Sequence, residues 1–522
     1  MRLLVIYSIL GENMKKLLLL LIAVLTMSFA LTGCGEDVTP LSNVDGAVVS
    51  GNGSFAVEKG DYVYFVNGIG DMTQSNKMGE VLKGALVRVK TADIGKEDAK
   101  IETVIPKFVN TASAVSGIYI YGDTVYYATP YDGKDKTGKV RTDYTDFRTF
   151  DLKTGKSTQI LFESKTVNKY KYVSNSNGVF LMYDVTETVD EEEVKTFNVY
   201  KANGDKVFSV EGYAELFTAD DNSDKVFYTK TAYSQELEQD ENFTEVYMYT
   251  AGASQAEVVF SGCGENAKVR DGRDSADYKA KILKYSDLSG VKVTLIKNTG
   301  KVLIMKVTSN DANLSAYYFG LTIADGVEVS SLKELGVADE YLDAALTANS
   351  YYKSLNEIYY IENTTNLKGL VKFNYENSGD VYHGRTQICD DANGYNIAFE
   401  QDGYLYISGT ANDYYRIKLD GSSELKKINS TGVNSLTSWF VPRVIGNKFI
   451  CSYSEALFQN YVFAIDIENV ESDDYQDYID EYATLDREKV LELNKTLIGI
   501  KNDPDKTFFD TLLDSTYPED EE

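Results

Sequence analysis

His383 is the single histidine among 522 residues. Ser–His–Asp or Cys–His catalysis would have to run through it. Its neighbours Tyr382, Gly384 and Arg385 form no motif, and the plain reading is a surface or partly buried histidine. A three-histidine zinc site is impossible, and no H-E-x-x-H is present. Cys263, Cys389 and Cys451 are far apart, with no C-x-x-C. They read first as buried reduced thiols, with one disulfide plus a free thiol as the alternative. Asp220, Asn222 and Asp224 have a spacing that suits Ca²⁺. Lys225 stands where an EF-hand takes glycine, and Thr231 where it takes the bidentate glutamate. A solvated hairpin turn is therefore the first reading and Ca²⁺ the alternative. Further acidic loops lie at 271–274 and 390–393. Paired carboxylates for glycoside cleavage must stand roughly 5 to 10 Å apart in space, and spacing along the chain does not report that. The 40 tyrosines include the pairs Tyr126-Tyr127, Tyr317-Tyr318, Tyr351-Tyr352, Tyr359-Tyr360 and Tyr414-Tyr415. Sheet packing accounts for most of them; an aromatic surface for sugars or proteins is the functional reading.

These side chains need a scaffold, and the chain first gives its address. Met14-Lys15-Lys16 precedes an apolar run over 17–29 and then Leu31-Thr32-Gly33-Cys34. A basic start, an apolar core too short to span a bilayer and small residues before a cut make a secretory signal. The tetrapeptide resembles the lipobox of bacterial lipoproteins. That resemblance implies a diacylglycerol on the Cys34 thiol and Cys34 as the mature N-terminus. Residues 1–33 are then the signal peptide, with Met14 as the true start, and 34–45 a lipidated tether. The expected location is the extracytoplasmic face of the cell membrane, held by lipid alone, with a Gram-positive source.

The body is repetitive. A turn residue followed by three to six strand-forming residues recurs eight times, at 60–65, 122–127, 177–182, 223–228, 299–304, 355–360, 402–407 and 446–450. A second strand-like run follows each copy, for example at 147–152, 197–200 and 414–419. Turn signals such as Asn203-Gly204 and Asp420-Gly421 precede a third run in several copies. Such dipeptides supply the positive φ angles of two-residue hairpins. Short strands at this spacing, with a period near 50 residues, predict an all-β propeller over 46–470. Eight blades are expected, with seven as the alternative because 271–335 is the poorest copy. The last copy lacks an outer strand, and 46–50 is expected to supply it and close the ring.

The segments Phe150-Asp151-Leu152-Lys153-Thr154-Gly155 and Tyr415-Arg416-Ile417-Lys418-Leu419-Asp420-Gly421-Ser422 resemble the outer hairpins of TolB-type and quinoprotein-like propellers. They are also similar to propeller-like surface lipoproteins of Gram-positive bacteria. The resemblance implies fold and location, not chemistry.

Residues 471–522 hold 17 acids against 5 bases. Apolar spacing predicts a helix over 486–498, and Phe508, Phe509, Leu512 and Leu513 form a second apolar stripe. Two short helices packed on the propeller are expected, with a partner-docking tail as the alternative. The whole chain carries a net charge of −28, which repels phosphate and disfavours nucleic acid. The functional reading is a non-enzymatic binding or scaffold protein for a protein or glycan of the cell envelope. The alternative is a carboxylate-dependent carbohydrate-active enzyme, a glycoside hydrolase or lyase, with its site in the propeller funnel. A transporter's solute-binding lipoprotein ranks last, for want of a two-lobed α/β pattern. No cofactor is expected beyond the Ca²⁺ alternative, and the oligomeric state is open.

Overall fold

The computed structural model describes residues 41–482, apart from 42–43, 45, 47, 68–84, 95, 97–98, 109–116, 131–143, 219–222, 234–241, 263–290, 310–314, 324–331, 364–366, 375–383, 410–412, 429–440 and 457–458. Each of the eight repeats becomes the second strand of its own antiparallel sheet, counting blade 1 from Ala56–Lys59. These strands are Tyr62–Val66, Thr124–Pro130, Gly178–Val189, Lys225–Tyr233, Val302–Ser309, Glu357–Asn363, Tyr404–Ser408 and Lys448–Ala456. The sheets span 49–105, 119–163, 166–211, 216–261, 291–337, 351–389, 396–427 and 443–466 and form an eight-blade β-propeller. Seven blades are excluded, because the poor copy folds as a full four-stranded fifth blade, Val291–Asn298 to Leu332–Val337. The turn chemistry works as the sequence reads: Asp402 and Gly403 both take positive φ, +54° and +80°, the mark of a type I′ hairpin.

Every blade is an up-and-down meander. Turns between first and second strands therefore share one end of the propeller, the turn end. Connections between second and third strands, and between blades, share the other, the loop end. In blade 3 the second and third strands run on past the sheet as a hairpin arm over 187–194. Its tip residues Asp190 and Glu191 have φ of +51° and +71°.

Neighbouring blades are joined by specific polar ties between side chains and backbone. The Tyr172 hydroxyl of blade 3 donates to the Tyr127 carbonyl of blade 2 at 2.9 Å. The Asn175 amide donates to Asp224 of blade 4 at 2.8 Å. Glu215 of blade 4 accepts from the Leu295 N–H of blade 5 at 2.9 Å. The Tyr351 hydroxyl of blade 6 donates to Glu400 of blade 7 at 3.1 Å. Gln401 of blade 7 spans to blade 8, donating to the Val444 carbonyl at 2.8 Å and accepting its N–H at 3.2 Å.

Ring closure differs from expectation. Val49–Ser50 pairs with Ala56–Lys59, the first strand of blade 1, and not with blade 8. The reason is local: a turn at 51–55 brings these segments together with little loop-closure entropy. The Lys59 ammonium then fixes the approach by donating to the Gly46 carbonyl at 2.7 Å. Asn52 continues the staple onto blade 2, donating to the Ile120 carbonyl at 2.9 Å and accepting its N–H at 3.0 Å. Among the described residues blade 8 has three strands. It meets blade 1 through apolar packing: Ile445, Ile450, Val462 and Ala464 share one cluster with Val57, Val63 and Phe65. The end of the expected tether is also packed, since Val44 is buried in that cluster.

Among the described residues there are two short α-helices. Helix α1, Glu340–Ala345, is capped by the Asp339 carboxylate and buries Leu342 and Ala345 between blades 5 and 6. Helix α2, Asp473–Tyr482, lies against the outer edge of blade 7. Its position upstream of 486 was not foreseen, and the helix expected over 486–498 and the stripe at 508–513 lie outside the described residues.

Candidate functional site

The expected chemistry is redistributed by the fold. Cys34, Cys263, His383, Asp220 and Asn222 lie outside the described residues. Asp224 is engaged in the tie between blades 3 and 4 and pairs with Lys225 at 3.6 Å. Cys389 and Cys451 are both free thiols. Cys451 is buried and its thiol is pushed up to about 12 by burial.

The tyrosines pack. Among the described residues none is exposed; Tyr359 and Tyr360 are both buried, and Tyr127, Tyr318, Tyr352 and Tyr414 are the buried members of their pairs. Strand alternation turns one member of a pair to each neighbouring blade, so a wide aromatic surface is not what the pairs make.

The buried carboxylates Asp146, Asp184, Glu245 and Glu362 lie on second or third strands of their blades rather than on the innermost strands. Asp146 holds Arg148 and Gln159 at 2.8 and 2.7 Å. Glu362 holds Arg385 at 2.6 Å and the Tyr360 hydroxyl at 2.8 Å. Of the innermost carboxylates, Glu400 is taken by Tyr351 and by the Gly403 N–H at 3.0 Å. This placement gives the carbohydrate-enzyme reading no support.

The carboxyl of Asp413 is buried in a loop. Asp413 ends the connection between the second and third strands of blade 7, at the loop end. It is 6% exposed. Its Oδ2 accepts the Tyr415 hydroxyl at 3.3 Å and lies 3.7 Å from the Lys427 ammonium. Its Oδ1 is buried with no hydrogen-bond partner among the described residues. Burial raises its pKa, against the opposing pull of Lys427 and Tyr415. The balance is thus shifted toward the neutral acid.

Tyr415 faces blade 6, because Leu405, Ile407 and Ile417 share its side of the sheet. Tyr395, at the entry to blade 7, stacks on it with ring centres 5.0 Å apart and donates to its hydroxyl at 3.4 Å. Gly409 lets the backbone lie against both rings: a Cβ there would meet Tyr415 Cε2 at 3.0 Å and Tyr395 Cε1 at 3.5 Å. The result is a polar relay from Lys427 through Asp413 and Tyr415 to Tyr395, near the loop end. It brings together an aromatic stack, two hydroxyls and a buried carboxyl oxygen with no partner among the described residues.

Cys389, Asp390 and Asp391 precede this seam. Their sulfur and carboxylate oxygens lie within 4.8 Å of one another. That set could hold a divalent metal only through a thiolate. Burial raises the Cys389 pKa, against backbone hydrogen bonds from Asp391 and Ala392, which favours the thiol form. The acidic loop was visible in the sequence; Asp413 was not.

No protein-family model matches the chain. No curated protein matches it either. Among solved structures, a prolyl endopeptidase aligns at 12% identity over 68% of this chain and 47% of its own, with a TM-score of 0.38. The β-propeller domain of the Trilobed protease from Pyrococcus furiosus aligns at 11% identity over 72% and 94%, with a TM-score of 0.34. A Pyrococcus horikoshii acylaminoacyl peptidase aligns at 11% identity over 80% and 57%, with a TM-score of 0.37. The chain spans about half the length of the prolyl endopeptidase. These likenesses concern the propeller fold alone.

Proposed function

We propose that this protein is a lipid-anchored, extracytoplasmic binding propeller for a glycan or protein of the cell envelope. Its ligand meets the seam between blades 6 and 7. The observation that carries the reading is the Oδ1 of Asp413, without a hydrogen-bond partner among the described residues, beside the Tyr395–Tyr415 stack. A buried polar atom without a partner costs about 1–3 kcal/mol, and a ligand hydroxyl or amide would recover it. Stacked tyrosines offer the flat, amphipathic contact that sugar rings and peptide groups use.

The test uses the purified lipoprotein on immobilised envelope polysaccharide and on envelope protein fractions. Asp413→Asn and Tyr395→Ala should each weaken retention by about tenfold. Equal retention of the folded variants, or reproducible catalytic turnover by the native protein, would remove the proposal. Metabolic labelling with a fatty-acid analogue, lost in Cys34→Ala, tests the anchor.

A further inference from the structure

The last strand of blade 7, Lys426–Lys427, is two residues long and ends its sheet. Its pairing with Tyr414–Lys418 turns the Lys427 N–H and carbonyl outward, away from the sheet. An outward pair of this kind is what a further strand would bind. Here the side chain of Gln476 on helix α2 fills it. The Gln476 amide accepts from the Lys427 N–H at 3.0 Å and donates to its carbonyl at 3.0 Å. Those are the two bonds that a strand residue would offer. The Tyr475 hydroxyl adds a bond to the Ile428 carbonyl at 2.8 Å.

The charges match the contact. Arg416, Lys426 and Lys427 are 10%, 15% and 14% exposed at this edge. The chain that covers them is acidic: Glu471 bonds Arg416 at 2.9 Å, and Asp473, Asp474 and Asp477 follow on the helix. Among the described residues the helix is held to this edge by the Gln476 and Tyr475 bonds and by the packing of Tyr475 beside Ile467 and Val470.

We propose that helix α2 is a displaceable cover, and that an extended acidic segment of a partner protein takes its place, pairing as a strand along residues 426–428. The cover supplies the same backbone bonds and the same charge as the incoming strand, so the two compete directly. This contact shares Lys427 with the Asp413 seam: its backbone meets Gln476 and its ammonium faces Asp413.

The probe is a fluorescein-labelled peptide alternating threonine and aspartate, with a threonine–lysine peptide as control. Binding is read by fluorescence anisotropy on the full chain. The double variant Tyr475→Phe, Gln476→Ala should bind the acidic peptide at least about tenfold more tightly than the native chain and leave the control unchanged. A folded double variant with no gain overturns the proposal. Should that variant fail to fold, hydrogen exchange on the native chain decides. Release of the Lys427 amide together with helix α2, ahead of the rest of blade 7, upholds the cover. Release only with the whole blade makes the helix a fixed brace and overturns the proposal.

Discussion

The ring closes between blades 8 and 1 by apolar contact, and Ile450→Ala tests how much that contact holds. Ile450 is fully buried in the cluster shared by the two blades. The substitution removes three carbons, and at about 0.8 kcal/mol for each buried carbon the transfer loss is about 2.4 kcal/mol. A cavity adds to this, since close-packed neighbours on two blades relax only in part. The expected loss is about 3 kcal/mol, inside the roughly 2–5 kcal/mol range of such truncations. A urea titration followed by far-UV circular dichroism measures it. Hydrogen exchange locates it: amides of Ala56–Lys59 and Arg443–Ile445 should open before those of blades 3 to 6. A loss below about 1 kcal/mol would refute the reasoning, as would acceleration spread evenly around the ring. Either would mean that closure rests on something other than this packing.

Three further outcomes follow from the seams. Arg385→Met removes the cationic partner of buried Glu362, which keeps the Tyr360 hydroxyl, and should cost about 3–5 kcal/mol; adding Glu362→Leu should restore most of it, with thermal melting as the readout. Asp413 has a folded pKa above its unfolded one. Its stabilising contribution is thus full below the unfolded pKa and lost as pH rises through the folded one. The stability of Asp413→Asn relative to native should therefore climb from pH 4 to pH 7, and a flat difference in melting temperature would count against the burial argument. Replacing Asp190 and Glu191 by Asn and Gly relieves two left-handed non-glycine residues at the tip of the blade 3 arm. A gain of about 1 kcal/mol is expected, visible as slower exchange of the Val189 and Glu192 amides.

Much of the propeller was legible because its second strands carry local signals. Each begins at a turn residue, and each is dense in tyrosine, valine or isoleucine. The innermost strands were less visible. Tyr119–Tyr121 and Leu216–Thr218 are only three residues long, and Thr166–Asn175 carries Lys169 and Lys171 among its apolar positions. Chain closure was misread because a missing strand in blade 8 says nothing about which segment approaches it. The candidate seam was illegible for a related reason. Asp413 sits in an ordinary polar loop, and its neighbours Tyr415 and Lys427 come from two different strands that only the folded sheet brings to it. Helix α2 escaped notice because amide and hydroxyl bonds hold it to a strand edge, whereas helical reading follows apolar spacing.

The route by which the chain enters has a consequence for posture. Gly46 lies so close to Gly60 that a Cβ would meet its Cα at 2.3 Å, which puts the entry at the turn end. Leu41 already packs on blade 1, so only the stretch from Cys34 to Leu41 separates the proposed lipid from the folded body. Fully extended, that leash reaches about 25 Å. A propeller held so short would stand with its turn end toward the bilayer. The Asp413 seam and the acidic arm of blade 3 would then face outward, at the far side of the molecule from the lipid.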